Sequence, residues 1–508
     1  WAGRYKEAVI SFTRAAEAGV QSGEAWFYTG YCDAKVGLYP EALEAYREAL
    51  EIDPNDAKVF HYQGEAYSHL GRHLEAIEAC KKALSLAPDI AGAYSVLGLS
   101  YAKLGRSVEA IEAFKQAIRI EPDDAETYYD LGVTYGELGR HLEAMEAFKQ
   151  AIRANPDYAE AHYNLGVAAG ELGRHEDAID AFRQAIRINP NMMEAYYRLR
   201  VAYSALGLYA EAVETCKQAI RIMPDDPLAH YDLGTAYEQV GRYLEAAEAY
   251  QQAIRLKPDY VEAYRNMGSA YAELGRHEEA IEAFKQALRL DPDDPGPHAD
   301  LGLSYNELGR YDQAIAACKQ ALRIVPDYAQ AHVGLGMAYE GLGRYEEAIE
   351  AYQQAIRVKP DYASAYLNLG MAYEGLGRYQ EAIDVYKQAI QIQPDDAMAH
   401  FGLGISYNEL GRYEEAVDAF KQTVRIESDY TDAYLNLGIA YGELERYQEA
   451  IDAFKQTVDL DPGKAGAHYG LGLSYLSLGD KSLALEEYKI LKNLDKNLAN
   501  ELFDRIYK

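Results

Sequence analysis

The chain has 508 residues, 49% of them hydrophobic, and a formal charge of −31 from 81 acidic and 50 basic side chains. It contains no run of 18 apolar residues that could span a membrane, and so acidic a surface repels nucleic-acid phosphates. Basic or neutral protein partners are favoured instead. The four cysteines are 48, 136 and 102 residues apart, too scattered for a disulfide framework or a zinc site. Reduced thiols are compatible with a cytoplasmic setting. Because the chain starts at Trp1, no signal peptide can be judged.

The first predicted element is "GRYKEAVISFTRAAEAG", residues 3–19, an amphipathic helix carrying Tyr5, Ile10 and Phe12. From residue 23 a 34-residue pattern sets in. If the glycine of Leu-Gly is position 8, it recurs from Gly30 to Gly472 in fourteen copies without insertion or deletion, and only Arg200 breaks the series. A second glycine follows seven residues later, from Gly37 to Gly479, broken only by Glu445. Within one copy, Tyr128, Leu131, Gly132 and Tyr135 form an i, i+3, i+4, i+7 stripe, and Ala144, Ala147, Phe148 and Ala151 repeat it. Gly139 separates the two predicted helices, Pro156 ends the second, and an aspartate such as Asp124 or Asp157 caps the next. Each copy is a helical hairpin whose apolar faces need neighbours to cover them, so the copies must stack.

Other chemistry finds little support. No strand precedes a glycine loop to cradle phosphate, and no elbow presents a nucleophile, so no enzyme activity and no cofactor are expected. His162, His230, His298, His332, His400 and His468 share one first-helix position with tyrosines, and none forms a His-x-x-x-His pair. They are expected to be half-buried packing residues rather than metal ligands. The acidic loop "DPDDPGPH", residues 291–298, lacks EF-hand ligand spacing and is expected to cap a helix through Asp293 or Asp294. Cys80, Cys216 and Cys318 stand where other copies have Phe or Tyr, as small core residues.

The signature Tyr128, Leu131, Gly132, Tyr135, Ala144, Phe148, Ala151 and Pro156 resembles that of the tetratricopeptide repeat family, over nearly the whole chain to about Leu498. The resemblance implies an all-α, right-handed superhelical solenoid. Residues 1–22 would be a half repeat holding only a second helix, 23–498 fourteen tandem repeats, and 499–508 an amphipathic capping helix. It further implies a groove lined by positions 2, 5, 9, 12 and 13 of the first helices. Mapped onto this chain, those positions include Glu126, Tyr129, Glu137, Glu160, Tyr163, Glu171, Glu194, Tyr197, Tyr231 and Glu262. Such a trough suits an extended, basic protein segment, held by charge and cation–π contact. The family's two-carboxylate clamp is not expected, because position 9 is never Asn and position 5 never Lys. Nor is its asparagine ladder, for which only Asn164, Asn266, Asn368 and Asn436 are present at position 6.

Two departures remain. Arg200 replaces glycine one copy after Ala169 replaces tyrosine. The expectation is that the arginine stem fills the space Ala169 leaves, forces its own helices apart, and sends its guanidinium to solvent or a carboxylate. The tail "NLANELFDRIYK", residues 497–508, places Leu502, Phe503 and Ile506 on one stripe. With the head it makes nearly one further unit, so a head-to-tail homo-oligomer growing into a filament is the alternative to a scaffold.

Overall fold

The computed structural model describes residues 23–508. Among them the only regular elements are α-helices, paired as fourteen hairpins. The first hairpin joins Gly23–Lys35 to Tyr39–Ile52, and the last joins Ala465–Ser477 to Lys481–Leu494. One more helix, Lys496–Tyr507, follows. First helices run 13 residues and second helices 14, both marginal in isolation. Close spatial neighbours divide the chain into two blocks, one ending at Leu256 and the other beginning at Lys257. The chain is thus an all-α solenoid of stacked hairpins. The half repeat expected over 1–22, with Tyr5, Ile10 and Phe12, lies outside the described residues.

The turn inside each hairpin explains its glycine. In the fourth copy the first helix ends in a Schellman motif, with Arg140 N–H donating to the Tyr135 carbonyl at 2.9 Å and Gly139 N–H to the Gly136 carbonyl at 2.9 Å. That closure puts Gly139 at φ 69°, a left-handed conformation. Glu445 keeps both hydrogen bonds at φ 58° and is the one non-glycine residue with positive φ among the described residues.

Packing inside the hairpin explains the other glycine. A Cβ at Gly132 would lie 2.6 Å from the Phe148 ring, and the same ring-on-glycine contact recurs at Gly166–Phe182 and Gly438–Phe454. Ala144 and Ala151 are fully buried beside that ring. Two small residues and one aromatic therefore set the helix separation.

Between hairpins, proline ends the second helix and leaves the residue before it extended, as at Asn155 (φ −135°, ψ 94°). The capping residue is position 34, not the aspartate after the proline. Asp56, Asp124, Asp226, Asp294 and Asp396 each accept main-chain N–H bonds at the next helix, whereas Tyr158, Tyr260 and Tyr328 at that position do not. So Asp157 caps nothing, and of the pair in the acidic loop it is Asp294 that bonds Gly296 N–H, at 2.9 Å. The six histidines have a further role beyond packing. Each places Nε2 2.9–3.2 Å from the carbonyl of the proline six residues earlier, as His162 does with Pro156 and His332 with Pro326. A carbonyl only accepts, so that nitrogen carries the proton.

Both blocks stack by one rule. First helices of successive hairpins touch each other, while among the described residues no second helix touches another second helix. Within each block the first helices therefore form the closer-packed, inner face. In the second block a continuous apolar core reaches from Ala299 to Ile506. The last helix completes it: Leu502 and Ile506 are buried, and Leu502 fills the space a Cβ at Gly472 would need. These two residues are consequently core and not an assembly surface. Of the three tail residues singled out in the sequence only Phe503 remains exposed, at 40%.

Candidate protein-binding groove

The inner face of the first block is built from the helices Ala125–Glu137, Ala159–Glu171, Met193–Ala205 and Pro227–Gln239, each touching the next. Glu126, Glu137, Glu160, Glu171 and Glu194 are exposed on them, and no ion pair involves their carboxylates among the described residues. Glu262 is exposed likewise on the second block.

The four tyrosines at position 5 are half-buried and engaged. Tyr129 packs 5.8 Å from Phe148 and 5.0 Å from Tyr158, and its hydroxyl accepts from Asn164 Nδ2 at 2.9 Å. Tyr163 lies 5.8 Å from Phe182, and Tyr231 5.5 Å from Tyr250. The Tyr197 hydroxyl donates to Asp226, the cap of the following helix, and burial raises its pKa. On these helices the rings are thus half-buried and the glutamates exposed.

Some first-helix acids of each block are committed to the fold. Glu238 and Glu340, both at position 12, accept from the buried hydroxyls of Tyr250 and Tyr352 at 2.8 Å. The hydroxyl appears only where the second-helix aromatic is Tyr. Each position-12 glutamate, Glu238, Glu340 and Glu374, stands in a copy with Tyr at position 24, while copies with Phe have Gly, Ala or Asn there and the copies of Tyr46 and Tyr488 have Ala34 and Leu476. That correlation between positions 12 and 24 is readable in the sequence, and it separates structural acids from free ones. Sequence reasoning also missed a change of character along the chain. In the second block positions 5 and 9 are mostly aliphatic, with Leu303, Val333, Met337, Leu367, Met371 and Ile405 among them. A cleft lined by Leu435, Ile439, Leu473, Leu476 and Leu498 has Arg505 at its edge.

The Arg200 misfit is resolved inside its own hairpin. Position 8 faces position 24, as the glycine contacts show, and in this copy position 24 is Cys216. Arg200 and Cys216 share that space, and the thiol alone does not open it, because a Cβ at Gly64 or Gly302 would lie 2.5 or 2.2 Å from the Cys80 or Cys318 sulfur. Arg200 Nε lies 3.1 Å from Asp232 Oδ2 on the next hairpin, with the aspartate 5% exposed. Burial pushes the Asp232 carboxyl up, and the guanidinium pulls it part of the way back. This hairpin is the least closely packed of the fourteen, as an arginine between helices requires. The cysteines are otherwise inert: Cys80, Cys216 and Cys318 are buried and their thiols are pushed up to about 12. No group of three His, Cys, Asp or Glu that could hold a metal occurs among the described residues. No helix of the described residues is long and apolar enough to cross a membrane.

A stack of two-helix units with an inner face of first helices is a helical-repeat protein. Tetratricopeptide repeat profiles match residues 129–192, 231–295, 333–397, 367–430 and 435–497, together more than half of the chain. Further tetratricopeptide repeat profiles match 55–121, 89–157 and 297–361, 169–235, and 23–56. The chain belongs to the tetratricopeptide repeat family. No curated protein matches it. Among solved structures, the anaphase-promoting-complex hetero-tetramer Cut9–Hcn1 is 17% identical, with 98% of this chain and 99% of that chain covered and a TM-score of 0.43. Yeast Tom70 is 16% identical over 84% and 96%, TM-score 0.41. YrrB, described as having an unusual peptide-binding site, is 23% identical over 37% and 96%, TM-score 0.33.

Proposed function

We propose that this protein is a non-catalytic interaction scaffold whose first block binds an extended, basic segment of a partner protein. The observation that carries the reading is the row of exposed glutamates without ion partners on contacting first helices, Glu126, Glu137, Glu160, Glu171 and Glu194. Some other surface acids are paired, although exposed second-helix acids such as Glu146, Glu176 and Glu248 have no ion pair either among the described residues. At the hairpin turns, Arg140 pairs with Glu143 at 2.6 Å, and nine further turns repeat an arginine–acid pair. Those exposed pairs add little stability, and they leave the first-helix glutamates with their charge uncompensated by any ion pair. A row of like charge attracts an oppositely charged chain and raises its on-rate. The head-to-tail filament is less well supported, since Leu502 and Ile506 are consumed by the core.

The test is fluorescence anisotropy with an unstructured Gly-Ser peptide bearing six lysines and arginines, beside its glutamate counterpart. Binding of the basic peptide alone is expected. It should weaken steeply with salt, because the Debye length is about 8 Å at physiological ionic strength. Reversing Glu160, Glu171 and Glu194 to lysine should remove it. Unchanged affinity in that triple variant overturns the reading.

A further inference from the structure

The repeat lattice supplies its own comparison. Where the eighth hairpin meets the ninth, Arg265 at position 5 reaches Asp300 at position 6 of the next copy, Nε to Oδ2 at 2.9 Å. Tyr328, at position 34, supports the same guanidinium. The arrangement is a built guanidinium site occupied from within the chain. The ring in the corner is Phe284, packed on Gly268.

The junction of the third and fourth hairpins keeps the aspartate and the position-34 tyrosine but lacks the arginine; Glu160 stands where Gln330 donates to Asp300 at 2.9 Å, and Tyr129 stands in place of Ala299. Phe114 packs on Gly98 as Phe284 does on Gly268. Asp130 stands where Asp300 stands, and Tyr158 where Tyr328 stands. At the place of Arg265 is Ser95, whose hydroxyl is turned to Thr127 Oγ1 at 2.7 Å. The Asp130 carboxylate consequently has no hydrogen-bond or ion-pair partner among the described residues. The third aspartate at this repeat position, Asp232, also holds a guanidinium, that of Arg200. Two of three equivalent carboxylates are thus filled by an arginine of the chain, and the third lies half-buried and empty. It lies on the face that already carries the free glutamates. Where Gly296 clears space for Arg265, the empty junction has Glu126, an exposed and flexible second carboxylate.

We propose that the junction of the third and fourth hairpins is a receptor for one arginine side chain of the partner, held by Asp130 with Tyr158 and Glu126. The proposal rests on the groove reading above and names the residue type that sets register within it. Guanidinium is chosen over ammonium because the template is a planar fork against a carboxylate and a phenol, a geometry lysine does not match. Burial is also incomplete without the guest. Burial pushes the Asp130 carboxyl up to about 7, with Glu126 and Asp124 adding to the rise and Lys103, on the first helix of the preceding hairpin, opposing it. The Tyr158 phenol on the far side is raised first by its own burial and then by Tyr129, Glu126, Asp130 and Glu160. A carboxyl with a raised pKa is neutral below that value and charged above it, so arginine capture strengthens as pH rises through 7.

The experiment uses two labelled Gly-Ser peptides, one with a central arginine and one with citrulline, its neutral isostere, read by anisotropy at low salt. The full chain is expected to bind the arginine peptide at least tenfold more tightly than the citrulline one. The affinity should rise about tenfold from pH 6 to pH 8, following the ionised fraction of Asp130. Asp130→Asn should erase the difference between the peptides. Ser95→Arg combined with Glu126→Gly should erase it too, because the two changes restore both the arginine and the glycine clearance of the Arg265–Asp300 junction. Equal binding of the two peptides by wild type, or wild-type preference retained in both variants, overturns the receptor. If the lysine- and arginine-rich peptide still binds in that case, the groove reading stands; if it does not, both fail.

Discussion

The sharpest test of the packing account is to exchange the sixth hairpin's exceptional pair for the ordinary one. In hairpins with glycine at position 8 and an aromatic at position 24, a Cβ on the glycine would lie about 2.6 Å from the ring, as at Gly166–Phe182. Cys216→Phe in the presence of Arg200 therefore forces two large groups into one space, an overpacking worth about 1–3 kcal/mol. Arg200→Gly alone strips Asp232, 5% exposed, of its only ion partner among the described residues. Removing one member of a buried pair costs about 3–5 kcal/mol. Together the two changes restore the ring-on-glycine contact, and burying a phenylalanine side chain returns about 2 kcal/mol. The double variant should thus be more stable than the sum of the single changes by about 3–5 kcal/mol, the overpacking removed plus the burial regained. Cys216→Phe should change sign with background, harmful beside Arg200 and helpful beside glycine. Repeat arrays do not unfold as one unit, so the assay is native-state hydrogen exchange read on peptides from residues 193–226. Additive effects, within about 0.5 kcal/mol, would refute the claim that Arg200 and Cys216 share one space.

Further outcomes follow from single residues. Glu445→Gly should stabilise the thirteenth hairpin by about 1 kcal/mol, because a non-glycine residue held at φ 58° pays a steric penalty that glycine does not; slower exchange across residues 431–460 is the readout, and no change would mean the turn is unstrained. Tyr352→Phe should cost about 1–2 kcal/mol by leaving the half-buried Glu340 carboxylate without its donor. Glu340→Ala added to it should recover most of that loss, as measured by local exchange in the tenth hairpin.

How far the residues spoke for themselves differs from feature to feature. The 34-residue period, the glycine at the turn and the proline at the close are statements about backbone geometry, and each acts within a few residues of itself. Gly139 is needed because the Schellman closure demands a left-handed residue, and that demand is visible in the sequence whatever surrounds it. The row of glutamates at position 2 was equally legible, since helical periodicity alone puts Glu126, Glu160 and Glu194 at one repeat position.

What the stack alone decided are contacts between residues some 30 positions apart. Arg200 reaches Asp232, Arg265 reaches Asp300, and Tyr197 reaches Asp226. Each joins one hairpin to the next, so it depends on how two hairpins are set against each other and not on either one's pattern. The same holds for the tail. An amphipathic stripe says only that Leu502, Phe503 and Ile506 want cover. Docking of Lys496–Tyr507 on the last hairpin buried two of them and left the third outside. Local sequence determines which face of a helix is apolar, whereas tertiary packing determines which neighbour covers it and so which charges remain for a partner.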